Sequence, residues 1–268
     1  MLGLALAGCS NILEDFPDKN GEEYLKAQAR LHIDKSQWDA AIVAITPVLA
    51  RHPQDQEIAN IAATAYVGRA GLRVLDLIDN IVQESDDHGM LEILAHHFSG
   101  YEVGDQYLAD YATAVGIIEA AGATGAARDA NLNFLSLFVY YTRIGVILNR
   151  YAFTPKTKSL RPGFDACLSS SDLTGVNPTG IPNAQIDIIY TSIPKIIDSA
   201  ANINASGDGL DALISANGIP TNFAVNPIPC TSTQNAAACV VTRNLVGIGK
   251  IAGGIGIETG GTCLVVTP

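Results

Sequence analysis

From Gly21 to Leu148 apolar residues return every three or four positions, and this periodicity constrains the chain more than any other feature it carries. Such spacing gathers apolar side chains on one face of a helix, whereas a half-buried strand needs strict alternation. Helices are therefore expected over 22–33, 38–51, 56–69, 72–81, 90–98, 107–121 and 132–148. The polar turns Asp34-Lys35-Ser36-Gln37 and His52-Pro53-Gln54-Asp55 separate the first three. Pro47 falls inside the second, where it removes one backbone donor and invites a kink. The segment 132–148 is apolar enough to suggest a membrane span, but Asn133, Ser136, Thr142 and Arg143 interrupt it. It reads as the central buried helix of a bundle. With 48% hydrophobic, 16% charged and only 6% aromatic residues, the chain can fill a core with small aliphatic side chains, so an all-α fold is expected.

The composition changes at Phe153. Residues 153–182 are rich in proline, serine, glycine and threonine, as in an irregular loop, and 183–268 reads as a helical, glycine-rich C-terminal part. Helices are expected at 183–203, despite Pro194, and at 209–216. The apolar stretch 236–257 carries Gly247, Gly249, Gly253, Gly254 and Gly256, which lower helix propensity by up to ~1 kcal/mol each unless another helix lies very close. A membrane-inserting glycine zipper fits less well, because Lys250 and Glu258 break the pattern.

Met1 to Gly8 is small and apolar, and Leu6-Ala7-Gly8-Cys9 closely resembles the lipobox of bacterial lipoproteins. The resemblance implies a signal peptide over 1–8, cleavage before Cys9, lipid on that cysteine and a polar tether over 9–20. More than one inserted acyl chain gives stable membrane attachment. No Lys or Arg precedes Cys9, so the natural start is expected to lie upstream. Ser10 in place of aspartate implies release to the outer membrane, with the body periplasmic or surface-facing. The four other cysteines, Cys167, Cys230, Cys239 and Cys263, allow three disulfide connectivities in an exported chain. Cys230 and Cys239 flank a short polar loop, which favours that pair and leaves Cys167 with Cys263. The second bond would close a loop of about 100 residues, worth ~4–5 kcal/mol in the chain-entropy account. No Cys-x-x-Cys spacing supports zinc instead.

The first three helical segments resemble the tetratricopeptide repeat, a helical hairpin of about 34 residues. Ala29 sits at the small position of the first helix, Trp38 at the aromatic position after the turn, and Ala41-Ile42 at the small-plus-aliphatic pair. Ile45, Val48 and Leu49 continue the buried face, Pro53 closes the unit, and Ala63 and Tyr66 begin a second one. His32 and Gln28 replace the usual tyrosine and leucine, and the pattern decays after Gly71. The resemblance implies hairpins over 21–152 that continue into a helical bundle. It also implies an inner groove that binds a protein partner, with Gln28, His32 and Asn60 as its candidate contacts.

Candidate catalytic groups are sparse. His88, Glu92 and His96 fall at four-residue steps with His97 beside them, yet Gly89 would lie inside that helix and the zincin motif is absent. A polar helix face explains them better. Gly247-Ile248-Gly249-Lys250 lacks the Ser or Thr of a phosphate loop, and there is no Gly-x-Ser-x-Gly elbow. No catalytic residue, metal site or cofactor is expected. The net charge of −11 argues against nucleic acid and against a basic membrane-surface patch. The expected function is a lipid-anchored helical adaptor at the bacterial outer membrane. A periplasmic ligand-binding component of a TRAP-type transporter is the first alternative, and a metal-dependent enzyme the second. An open polar groove would favour the adaptor, an apolar tunnel the transporter component, and converging histidines and carboxylates the enzyme.

Overall fold

The computed structural model describes residues 18, 20–84, 90–159, 161–162, 169–170 and 181–204. Cys9, Cys167, Cys230, Cys239, Cys263 and His88 lie outside them, as do the expected segments 209–216 and 236–257. The described chain is helical, with α1 (Glu22–Asp34), α2 (Trp38–Arg51), α3 (Gln56–Arg69), α4 (Val74–Glu84), α5 (Met90–His97), α6 (Asp105–Ala121), α7 (Ala130–Ala152) and α8 (Asn183–Asn204). A 3-10 turn at Gly125–Ala127 precedes α7. Ser169–Ser170 and Ile181–Pro182 run parallel for two residues, too short to make a sheet of their own.

The first three helices begin and end where the sequence signals put them, apart from one added residue at the end of α1. Asp55 caps α3, its Oδ1 accepting from the Ile58 amide at 3.0 Å. At the other end Gly71 takes φ +87°, and Leu72 donates back to the Val67 carbonyl at 2.9 Å. This closure needs a left-handed residue just past the helix, where glycine carries no Cβ penalty. Helix α2 runs through Pro47, which lies on its exposed face. The carbonyl deprived of its partner there belongs to Val43, itself 73% exposed, so water can satisfy it.

Helix α3 is buried on two faces. Ile58, Ile61 and Ala62 join Ala29, Ala44, Ile45 and Val48 in a small core shared with α1 and α2. Ala59, Ala63, Val67 and Ala70 face the main core, against α6 and α7. Alanine at so many positions lets three helices approach one axis closely, which explains why α3 shows no single apolar stripe.

Helix α7 is the central strut, about 35 Å long at 1.5 Å per residue. By length and composition it could cross a membrane, but α3, α5, α6 and α8 pack around it and 78% of its most apolar window is buried. Gly145 permits the contact with α5, since a Cβ there would run into the Leu94 carbonyl. Three of the polar residues that interrupt the apolar run are hydrogen-bonded inside the bundle. Asn133 donates to the Gly125 carbonyl at 2.9 Å, Thr142 to the Phe138 carbonyl at 2.6 Å, and Ser136 receives from Arg128. Burial pulls Arg143 below its usual pKa. Arg128, itself buried, also donates to the Gly122 carbonyl at 2.8 Å and to Ser199 of α8 at 3.0 Å. One guanidinium thus ties the entry of α7 to α8.

Candidate functional site

Gln56, Asn60 and Thr64 follow at four-residue steps along α3 and so share one of its faces. That face opens into a groove of about 460 Å³ whose far wall is the first two turns of α7, with Asn131, Phe134 and Leu135. Trp38 from the start of α2, with Leu72 and Val74 beyond α3, lines it too. Two side chains fix the walls. Gln56 donates from Nε2 to the Ala127 carbonyl at 2.8 Å and accepts the Asp129 amide on Oε1 at 2.6 Å. Asp129 in turn caps α7, accepting the Leu132 amide at 2.7 Å. The start of α3 and the start of α7 are therefore pinned to the same short loop.

Glu57 at the groove is already paired with cations. Glu57 accepts from Lys26 at 2.8 Å and from Arg30, and those bonds hold its carboxyl below the usual carboxylate range. Lys26 is raised for the reciprocal reason, first by its bond to Glu23 and then by Glu57. The neutral polar groups differ, because Asn60, Thr64 and Asn131 make no side-chain hydrogen bond with any described residue. Beside them lie two aromatic rings. Phe134 is 36% exposed, with the Phe138 ring 4.9 Å away. The Trp38 indole is half-buried and lies flush against Gly68, where any Cβ would overlap the six-membered ring. The groove therefore offers amide and hydroxyl groups for a backbone, and aromatic surface for an apolar side chain.

Of the candidate contacts read from the sequence, the structure brings only Asn60 into this groove. Gln28 and His32 do not line it, and His32 instead pairs its Nδ1 with Gln37 Oε1 at 2.7 Å across the α1–α2 turn. Trp38, which stands at the aromatic position of the repeat-like hairpin, also lines the groove. Thr64, Asn131 and Phe134 were missed. Thr64 carried a usable signal, lying four residues beyond Asn60. Asn131 and Phe134 had none, because nothing local to α7 says that its first turns face α3.

A second cavity of about 550 Å³ lies between α4 and α5, lined by Asp76, Asp79, Asn80, His96, His97 and Tyr101 among others. His96 is buried and edge-on to Phe153 at 5.5 Å. His97 accepts the Asn80 amide on Nδ1 at 3.3 Å, and burial lowers its pKa. Among the described residues no three His, Cys, Asp or Glu side chains converge closely enough to hold a metal ion. His96 is the one member of the His88, Glu92 and His96 set whose side chain is described.

Compared with family models, with curated proteins and with solved structures, the chain matches none.

Proposed function

We propose that this chain is a lipid-anchored helical adaptor at the bacterial outer membrane, holding a partner protein in the groove between α3 and α7. The observation that carries the reading is the set Asn60, Thr64 and Asn131, whose side chains make no hydrogen bond among the described residues, beside the half-exposed rings of Trp38 and Phe134. An extended segment offers both a backbone to hydrogen-bond and alternating side chains to bury, so this pairing of chemistries suits a peptide. The groove is open and mixed in polarity, unlike an enclosed apolar tunnel, which favours a protein partner over a transported small ligand. Packing of α1 on α2, and of α2 on α3, is what a tetratricopeptide-like hairpin and the start of the next would give. Buried Ala29, Ala41 and Ile45 agree with that reading.

The address rests on Leu6-Ala7-Gly8-Cys9, and the proposed disulfides, Cys230 with Cys239 and Cys167 with Cys263, would brace the C-terminal part in an oxidising compartment. The test is purification from native membranes in mild detergent, followed by mass spectrometry of the N-terminal peptide. A lipid-modified Cys9 and a co-purifying protein are expected, and both should be lost from the membrane fraction of Cys9→Ser. An unmodified peptide running through Gly8 and Cys9 would remove the lipoprotein reading.

A further inference from the structure

Four side chains of α8 meet one short loop, residues 122–129. Lys195 donates to the Ala123 carbonyl at 3.0 Å, and Asp198 accepts the Gly125 amide on Oδ2 at 2.6 Å. Ser199 receives from Arg128 at 3.0 Å, and Asn202 lies against Gly125. A Cβ on Gly125 would run into Asn202 and the Asp198 carbonyl, so glycine at this position lets α8 sit this close. Gln56 holds the other end of the same loop, through the Ala127 carbonyl and the Asp129 amide, and Gln56 and Asp129 both line the groove. Hydrogen bonds and a few residues of loop backbone thus connect α8 to the groove, although no described residue of α8 lines it.

Arg128 stands at the centre of this connection, its side chain fully buried. Nε donates to the Gly122 carbonyl and Nη1 to Ser136 and Ser199. Nη2 makes no hydrogen bond with any described residue and stops 3.8 Å from Asp198 Oδ2. Asn133 Oδ1, at the start of α7, is likewise buried with no donor among the described residues. A buried cation held just short of its carboxylate is costly, and a shift of about 1 Å would bring the pair to direct contact near 2.8 Å. A second arrangement of the loop therefore lies close to the one described. We propose that loop 122–129 couples the seating of α8 to the groove, so that α8 sets how the α3 and α7 walls stand to each other and an occupant of the groove in return tightens α8. Reciprocity of this kind is a thermodynamic necessity for coupled sites. The purpose of the coupling rests on the groove being a recognition surface, whereas the coupling itself is a property of the free chain.

Hydrogen exchange in the purified full chain, read by mass spectrometry, tests the coupling with no ligand present. Asp198→Ala removes the acceptor of the Gly125 amide, and Lys195→Met loosens the same contact more gently should the first variant fail to fold. Exchange at 56–64 of α3 is the decisive reading, because α3 holds the loop from the opposite end. In either variant it should quicken about fivefold or more, with the α1–α2 turn unchanged. Reciprocally, Gln56→Ala should quicken exchange at 196–203 of α8 by a similar factor. Changes confined to the loop and to the helix carrying the substitution would overturn the proposal, as would an equal rise throughout the chain. A chain that is coupled in this way but recovers no partner would keep the device and discard only the adaptor reading. One that loses its partner on substitution of Asn60, Thr64 and Asn131 yet shows no coupling would do the reverse.

Discussion

Trp38 lies flush against Gly68, and the sign of one substitution tests that contact. In an exposed helix interior, Gly→Ala stabilises by up to ~1 kcal/mol. At Gly68 the added methyl would overlap the Trp38 ring, so Gly68→Ala should instead destabilise by about 1–3 kcal/mol, as overpacking does. Urea denaturation followed by circular dichroism gives the answer, and a more stable variant would mean that the indole is not seated there. His97 carries a second prediction. Burial is the largest influence and lowers its pKa, while the Gly71 carbonyl and Asp76 act to raise it and Arg73 adds to the lowering. Because the folded value is depressed, the unfolded chain binds the proton more readily below about pH 6.5. The stability contributed by neutral His97 is complete above that pH and is lost as pH falls from 6.5 through the lowered folded value. The slope from this one group is at most about 1.4 kcal/mol per pH unit. Denaturation midpoints measured between pH 7.5 and 5 should fall for the parent, and less steeply for His97→Gln.

The helices themselves were legible because each carries its own period and its own stops. The polar turns at 34–37 and 52–55 are local signals, and they separate the first three helices as expected, whereas α7 extends the expected 132–148 to Ala130–Ala152. What local signals could not supply is the pairing of distant elements. Arg69 illustrates this. Its guanidinium makes a two-pronged pair with Asp110 of α6, at 2.9 and 2.7 Å, and reaches Asp39 of α2 at 2.6 Å. The Asp110 bonds hold Arg69 firmly protonated, and nothing in the sequence distinguishes these partners from other acids. The two carboxylates should not count equally. The Asp110 side chain is 1% exposed and also accepts from Gln106 at 2.8 Å, whereas that of Asp39 is 83% exposed. Asp110→Ala should cost about 2–4 kcal/mol, since it leaves a partly buried cation without its main partner. Asp39→Ala should cost no more than about 0.5 kcal/mol, as for a solvated pair. Thermal melts of the two variants check this, and equal losses would contradict the described geometry.

At the scale of the whole molecule, α7 decides the shape. It gathers α3, α5, α6 and α8 around one apolar axis, and its first turns form the far wall of the groove. The sequence identified α7 as a buried helix, because an apolar run broken by Asn133, Ser136, Thr142 and Arg143 suits a protein interior better than lipid. It could not reveal that the same helix forms one wall of a groove with α3. For that reason Asn60 could be singled out from sequence while Asn131 could not, although the two line opposite sides of one cleft.

The central claim is that this cleft is the recognition surface, and one comparison tests it most directly. Parent protein and an Asn60→Ala, Thr64→Ala, Asn131→Ala variant, shown first to melt alike, are recovered from native membranes, and co-purifying proteins are quantified by mass spectrometry. Each lost hydrogen bond to a bound backbone removes about 0.5–1.5 kcal/mol, so recovery of the partner should fall by roughly tenfold or more. Undiminished recovery of the same partner by the variant would contradict the account.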